Sequence, residues 1–276
     1  MYCQPLKQCM CYKRAPSPEA LESEHVIHAD CSGLGLQHIP HGLPPNTEVL
    51  YLNDNAIETI SKSDFQNAFG VDSGGGQKLK RLFLHNNGDL SEIAPAAFEE
   101  LGSLKELYLH YTRIYNLRSG TLQGLTSLKI LWANNANIQT IDADALSGAV
   151  NIKELFLQNN QIVELHPNTF NGLAKLKVLE IHEQCSKGRK CDRDTHKISS
   201  FTCCTLCGLP KSAAVIVDME EGSKLRCGCG SDGDDVTECP SCYDECTVWK
   251  YGNEPYQDWM GKELQEIRLQ KKLSVS

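Results

Sequence analysis

TEVLYLNDNAI (47–57), LKRLFLHNNGDL (79–90), LKELYLHYTRI (104–114), LKILWANNANI (128–138), IKELFLQNNQI (152–162) and LKVLEIHEQ (176–184) are versions of one segment. The last four begin at residues 104, 128, 152 and 176, a constant step of 24, and Leu79 precedes Leu104 by 25. A step of roughly 20–29 residues with the pattern L-x-x-L-x-L-x-x-N-x-L marks each unit as one turn of a solenoid. A single turn cannot bury its apolar face alone, so neighbouring turns must stack. Positions 1, 4, 6, 11, 14, 19 and 22 of each unit are expected to point inward. In the third unit these are Leu104, Leu107, Leu109, Ile114, Leu117, Leu122 and Leu125; in the fifth, Ile152, Leu155, Leu157, Ile162, Leu165, Phe170 and Leu173.

The chain has 276 residues, 41% of them hydrophobic and 22% charged, as expected for a soluble globular protein with a sizeable core. A formal charge of −8 argues against a nucleic-acid binder, which would be basic. No run approaches the ~18 apolar residues of a transmembrane helix, and MYCQPLKQCMC lacks the apolar stretch of a signal peptide. No N-x-S/T sequon occurs, so no N-glycan is expected to shield a face.

The 14 cysteines avoid the repeats. Cys3, Cys9, Cys11 and Cys31 precede them; Cys185, Cys191, Cys203, Cys204, Cys207, Cys227, Cys229, Cys239, Cys242 and Cys246 follow them. Even counts at both ends predict disulfide-stapled caps and an oxidising, extracellular setting. Cys203, Cys204, Cys207, Cys239, Cys242 and Cys246 also have spacings that zinc sites use, with His182 and His196 nearby, but the even total favours disulfides.

CSGLGLQHIPHGLPPNTEVLYL (31–52), with the four cysteines before it, resembles the junction between cap and first repeat in extracellular leucine-rich-repeat proteins. These include variable lymphocyte receptors, Slit-type proteins and Toll-like ectodomains. The resemblance spans about residues 3–184 and implies an α/β leucine-rich-repeat solenoid with a curved parallel sheet on its concave face and disulfide-rich caps. It further implies the pairings Cys3–Cys11 and Cys9–Cys31, and an immune-type receptor. The expected organisation is an N-terminal cap (1–46), repeats (47–184) and a divergent C-terminal cap (185–276). That last region departs from the family: the N-P-W-x-C-x-C opening is absent, and Cys227-Gly228-Cys229 is placed some 40 residues late. Within it, residues 213–217 (AAVIV) read as a buried strand, and residues 253–276 as a short helix carrying Trp259, Leu264 and Ile267 on one face.

Two units break the period. The first runs to 32 residues, with FGVDSGGGQK as the excess; Gly74-Gly75-Gly76 is expected to loop out on the convex side. The second has one extra residue near Gly88-Asp89, expected as a bulge. Asn55, Asn87 and Asn160 hold the ninth position, where an amide bonds backbone between turns; Thr112 and Ala136 replace it, with Asn135 or Asn137 as candidate substitutes.

Strand residues alternate, so the outward positions form columns on the sheet. The fifth reads Tyr51, Phe83, Tyr108, Trp132, Phe156 and Glu180; the seventh, Asn53, His85, His110, Asn134, Gln158 and His182. The eighth reads Asp54, Asn86, Tyr111, Asn135, Asn159 and Glu183, and Arg81 lies in the third. The aromatic column is expected as an exposed binding strip for a protein or carbohydrate ligand, with Trp132 at its centre; alternatively its rings only favour pairing between strands. The second position, Glu48 then Lys80, Lys105, Lys129, Lys153 and Lys177, could attract an anionic partner or form a solvated edge.

No nucleophile motif, phosphate loop or metal-hydrolase motif is present, and Ser231-Asp232-Gly233-Asp234-Asp235 resembles a calcium loop only in composition. The expected function is therefore extracellular recognition without a cofactor, not catalysis. Adhesion or a homodimer through the same face is the alternative.

Overall fold

A computed structural model describes residues 9–14, 26–70, 75–166, 168–182, 184, 209–210, 213–217 and 248–250. In chain order the strands are β1 (Met10–Arg14), β2 (Val26–Asp30), β3 (Val49–Tyr51), β4 (Thr59–Ile60) and β5 (Arg81–Phe83). They continue with β6 (Glu92–Ile93), β7 (Glu106–Tyr108), β8 (Asn116–Leu117), β9 (Ile130–Trp132) and β10 (Thr140–Ile141). The last four are β11 (Glu154–Phe156), β12 (Val178–Glu180), β13 (Ala214–Val217) and β14 (Val248–Lys250), and helix α1 (Lys62–Phe69) lies between β4 and β5.

One ten-stranded sheet runs β1-β2-β3-β5-β7-β9-β11-β12-β13-β14. β1 is antiparallel to β2, and every later step is parallel. The register aligns the fourth position of each unit: Leu50, Leu82, Leu107, Leu131, Leu155 and Leu179 sit side by side, each fully buried. Two small parallel pairs, β4–β6 and β8–β10, contribute Ile60, Ile93, Leu117 and Ile141 to the same core. All fourteen inward residues predicted for the third and fifth units are buried in that cluster. At about 1.5–3 kcal/mol per buried large apolar side chain, stacking supplies the driving force that no single turn could.

The cap closes the start. Cys9 and Cys31 form a disulfide, and both are fully buried against the first turn. Cys11 is also disulfide-bonded; Cys3, its expected partner, lies outside the described residues. The strand expected at 213–217 is present as β13, with Val215 beside Leu179. The ten C-terminal cysteines and the terminal helix expected within 253–276 lie outside the described residues.

Of the stretch expected to loop out in the first unit (69–78), residues 71–74, Gly74 among them, lie outside the described residues, and Gly75–Lys78 form a 3-10 turn that follows a short helix. Residues 62–69 form α1, whose Phe65, Ala68 and Phe69 are buried, with Phe65 against Phe98 at 5.8 Å between ring centres. The carboxylate of Asp64 accepts the amide of Ser61 at 2.6 Å, fixing the helix start. Gly76 does not loop out: a Cβ there would stand 3.0 Å from the carbonyl oxygen of Glu100 and 3.2 Å from Leu101. Glycine serves close approach at this point, not flexibility. The extra residue of the second unit is absorbed by a turn in which Leu90 N donates to Asn87 O at 3.0 Å, leaving Leu90 fully buried.

The ninth-position amides tie turn to turn. Asn55 accepts the amides of Leu34 and Leu36 and donates to Cys31 and Leu52 carbonyls. Asn160 accepts Ala136 and Ile138 amides and donates to Ala133 and Leu157 carbonyls. At the two substituted units, Thr112 donates to the Leu109 carbonyl, and Asn137, not Asn135, reaches back to the Thr112 carbonyl. Gln184 performs the same task in the sixth unit, accepting Ile162 N and donating to Leu157 O. Its longer side chain hid this role in the sequence.

Candidate interaction face of the sheet

Parallel strands lie about 4.7–4.9 Å apart, close to the separation of stacked aromatic rings. A fifth-position aromatic in every unit therefore stacks on its neighbours. Ring-centre distances are 4.8 Å for Tyr51–Phe83, 4.4 Å for Phe83–Tyr108, 6.3 Å for Tyr108–Trp132 and 4.0 Å for Trp132–Phe156. The stack extends into the cap through His28, 5.9 Å from Tyr51, and Tyr12, 4.9 Å from His28. Neither cap residue was legible as a member. Tyr12 reaches the column only because β1 folds back antiparallel and sets it opposite His28.

Stacking covers the ring faces, and the strip is not open to solvent as expected. Phe83, Tyr108 and Phe156 are only 3%, 6% and 2% exposed, and Tyr51 and Trp132 are half-buried. Val26, Val49 and Ile130, Val178 flank the rings, making a thin apolar layer on the outward side of the sheet. Glu180 at the end of the column is also buried. The geometry is that of rings pairing neighbouring strands, with ring edges turned outward.

The seventh column lies against this layer. His85 and His110 stack at 4.4 Å and meet Tyr108 edge-on at 6.4 and 6.2 Å. Burial pushes the imidazole of His85 below its ordinary pKa, opposed by the charge of Asp54. Burial likewise pushes His110 down to about 4, helped by His85 and opposed by Asp54. In the cap, burial together with Arg81 and Arg14 pushes His28 down to about 4, against Glu48 and Asp30. His28, His85 and His110 are therefore held in the neutral form at neutral pH. Buried polar atoms of Asn53 (Oδ1), His85 and His110 (Nδ1), Asn134 (Oδ1) and Gln158 (Oε1) have no hydrogen-bond partner among the described residues. His182 is buried at the column's end.

The eighth column is the open rim. Asp54, Asn86, Tyr111, Asn135 and Asn159 all adopt φ between 53° and 58°. The chain must turn sharply there after each strand, and Asn and Asp tolerate the left-handed region better than other side chains. Tyr111 is the exception: an aromatic held at φ 56° and 55% exposed, edge-on to His110 at 5.5 Å. Asp54 accepts Asn53 Nδ2 at 2.6 Å and Asn86 Nδ2 at 2.8 Å. Burial alone would raise its pKa, but these bonds and the nearby imidazoles hold it below the ordinary carboxylate value. Arg81, in the third column, is half-buried. Glu183 lies outside the described residues.

Among the described residues no cluster of three or more His, Cys, Asp or Glu could hold a metal ion, and no helix is long and apolar enough to cross a membrane. The zinc alternative rested mainly on cysteines outside the described residues. The seventh column and the rim offer amides, neutral imidazoles, the Asp54 carboxylate and the Tyr111 phenol, which suit hydrogen-bonded recognition.

Comparison with known proteins agrees with this architecture. The leucine rich repeat family model matches residues 77–133 and 130–183. Reticulon-4 receptor-like 2 of Homo sapiens is 32% identical over 124 residues, covering 45% of this chain and 24% of the relative. Keratocan of Gallus gallus is 33% identical over 138 residues, covering 36% of this chain and 39% of the relative. Decorin of Gallus gallus is 44% identical over 43 residues, covering 16% of this chain and 12% of the relative. The chain thus spans well under half the length of these curated relatives. The repeat array is a leucine-rich-repeat solenoid, closed at its start by the Cys9–Cys31 disulfide.

Proposed function

We propose that this chain is an extracellular recognition module that binds a protein or glycan ligand on the outward face of the sheet, along the rim from Asp54 to Asn159. The observation that carries the reading is Tyr111. An exposed aromatic in a left-handed conformation costs about 1 kcal/mol relative to Asn or Asp, the residues used at the four other described rim positions. Aromatic side chains also dominate binding energy at protein interfaces. The unpartnered polar atoms of the seventh column support the same face, since such groups call for a partner. The buried disulfide and a relative described as receptor-like support the extracellular setting.

Trp132, Phe83, Tyr108 and Phe156 then act as the floor of the site, and Asp54, Arg81, His85, His110, Tyr111, Asn134 and Gln158 line it. An immune-type receptor is the finer form of this reading, resting on resemblance alone.

The test is a screen of the chain against arrayed extracellular proteins and microbial glycans, repeated with Tyr111→Asn. The variant should keep or raise the thermal midpoint while weakening a captured ligand by about 1–2 kcal/mol, or roughly 5–30-fold. Unchanged affinity moves the site off this rim. Light scattering at two concentrations tests the adhesion alternative: a mass that rises with concentration and falls back in Tyr111→Asn replaces a foreign ligand with a second copy.

A further inference from the structure

The second position of each unit places a line of lysines at the N-terminal edge of the strands. The structure joins them rung to rung through the backbone. Lys105 N donates to Lys80 O at 2.8 Å, Lys129 N to Lys105 O at 2.8 Å, Lys153 N to Lys129 O at 2.7 Å, and Lys177 N to Lys153 O at 2.7 Å. Five lysines therefore occupy adjacent rungs, and at the strand repeat of about 4.8 Å the four from Lys105 to Lys177 extend over roughly 14 Å.

Only the first is neutralised. Lys80 is ion-paired with Glu48, whereas Lys105, Lys129, Lys153 and Lys177 make no ion pair among the described residues. Lys105, Lys129 and Lys177 are exposed, and Lys153 is half-buried. Like charges on neighbouring strands repel and are destabilising. Four in succession, on a chain of net charge −8, form a segregated cationic line whose repulsion an anionic ligand would relieve.

The flanks define what fits. On the sheet side Lys105 and Lys153 are followed by Glu106 and Glu154, and Lys129 and Lys177 by Ile130 and Val178, so the cationic strip is one residue wide. A flat lipid surface would meet those carboxylates together with the lysines. On the other side, two residues before Lys105, Lys129 and Lys153, stand Ser103, Ser127 and Asn151, partly exposed groups able to bond sugar hydroxyls. We infer that this edge binds an extended sulfated polysaccharide chain lying across the strands, with one anionic group near each lysine. A chain with a negative group on each sugar ring matches a line of cations at regular steps. The buried Cys9–Cys31 disulfide places the protein where linear polyanions are sulfated glycans more often than nucleic acids. This site is separate from the rim proposed above and does not depend on it.

Heparin is the probe, with desulfated heparin of equal length, a single-stranded oligonucleotide and polyglutamate as comparisons. Two double variants remove the same charge: Lys129→Gln with Lys153→Gln in the line, and Lys13→Gln with Lys62→Gln outside it. Heparin should bind the native chain and bind the line variant at least 10-fold more weakly. The slope of log affinity against log salt should become shallower by about 1.5 for the two lost contacts. The outside variant and Tyr111→Asn should bind as the native chain does, and desulfated heparin should bind poorly. Thermal midpoints of both double variants should stay within a few degrees of the native value, because these lysines are outside the core. Equal weakening by the two double variants overturns the proposal in favour of unspecific attraction. So does the absence of heparin binding at physiological salt. Tighter lysine-dependent binding of the oligonucleotide or polyglutamate transfers the edge to a different partner class.

Discussion

Asn160 shows how much a single side chain carries in a stacked array. It is 1% exposed, and its amide satisfies the Ala136 and Ile138 amides of the preceding turn and the Ala133 and Leu157 carbonyls. Asn160→Ala leaves those buried groups unpaired and opens a small void, for an expected loss of about 3 kcal/mol in denaturant unfolding. Thr112→Ala removes one bond, to Leu109 O, and should cost about 1 kcal/mol. A similar loss at both positions would mean that the backbone rearranges to satisfy itself. The pattern N at the ninth position was legible; that Asn137 serves the unit lacking it was open, because the choice between Asn135 and Asn137 depends on which turn each amide reaches.

At the scale of elements, the aromatic stack and the histidine column behave as one layer. Their imidazoles are held neutral by burial, with folded pKa values below the ordinary value of about 6.5. The sign follows: in acid the unfolded chain takes up protons on these histidines before the folded chain does. Their contribution to stability is present above about pH 6.5 and is lost as pH falls toward about 4, where His28 and His110 ionise in the fold. Thermal midpoints should therefore drop between pH 7 and pH 4.5, and the triple variant His28→Asn, His85→Asn, His110→Asn should drop less over that interval. Equal slopes would assign acid lability to other groups. The identity of the fifth column as aromatic was plain in the sequence, but its burial was not. Alternation gives the direction a residue points, whereas exposure depends on the stacking of rings from five separate segments and on the flanking Val49, Ile130 and Val178.

Over the whole molecule, each turn is stabilised by its neighbours, so the first turn depends on its cap. Cys9 and Cys31, 22 residues apart and fully buried, weld that cap to the first turn. The double variant Cys9→Ser, Cys31→Ser should cost about 2–5 kcal/mol, with hydrogen exchange rising first at Leu50 and Leu52 and last at Leu131 and Leu155. A uniform rise along the array would show that the solenoid unfolds as a single unit and that the cap contributes no local protection.

The sequence by itself determined the solenoid, because a step of 24 residues with apolar residues at fixed offsets can bury them only by stacking turn on turn. It also located the cap cysteines and the lysine line, since both follow from position within the unit. Tertiary structure alone decided three things. Gly76, expected in a loop, is packed instead against Glu100 and Leu101 of the neighbouring turn, where a larger side chain would be crowded. Lys80 is ion-paired with Glu48 on the neighbouring rung, whereas the later lysines, though Glu106 and Glu154 stand beside them, make no ion pair among the described residues. Finally, Tyr111 stands open at the rim while Phe83, Tyr108 and Phe156 are buried in the sheet, because it sits in the left-handed turn after its strand and not within the strand-borne stack.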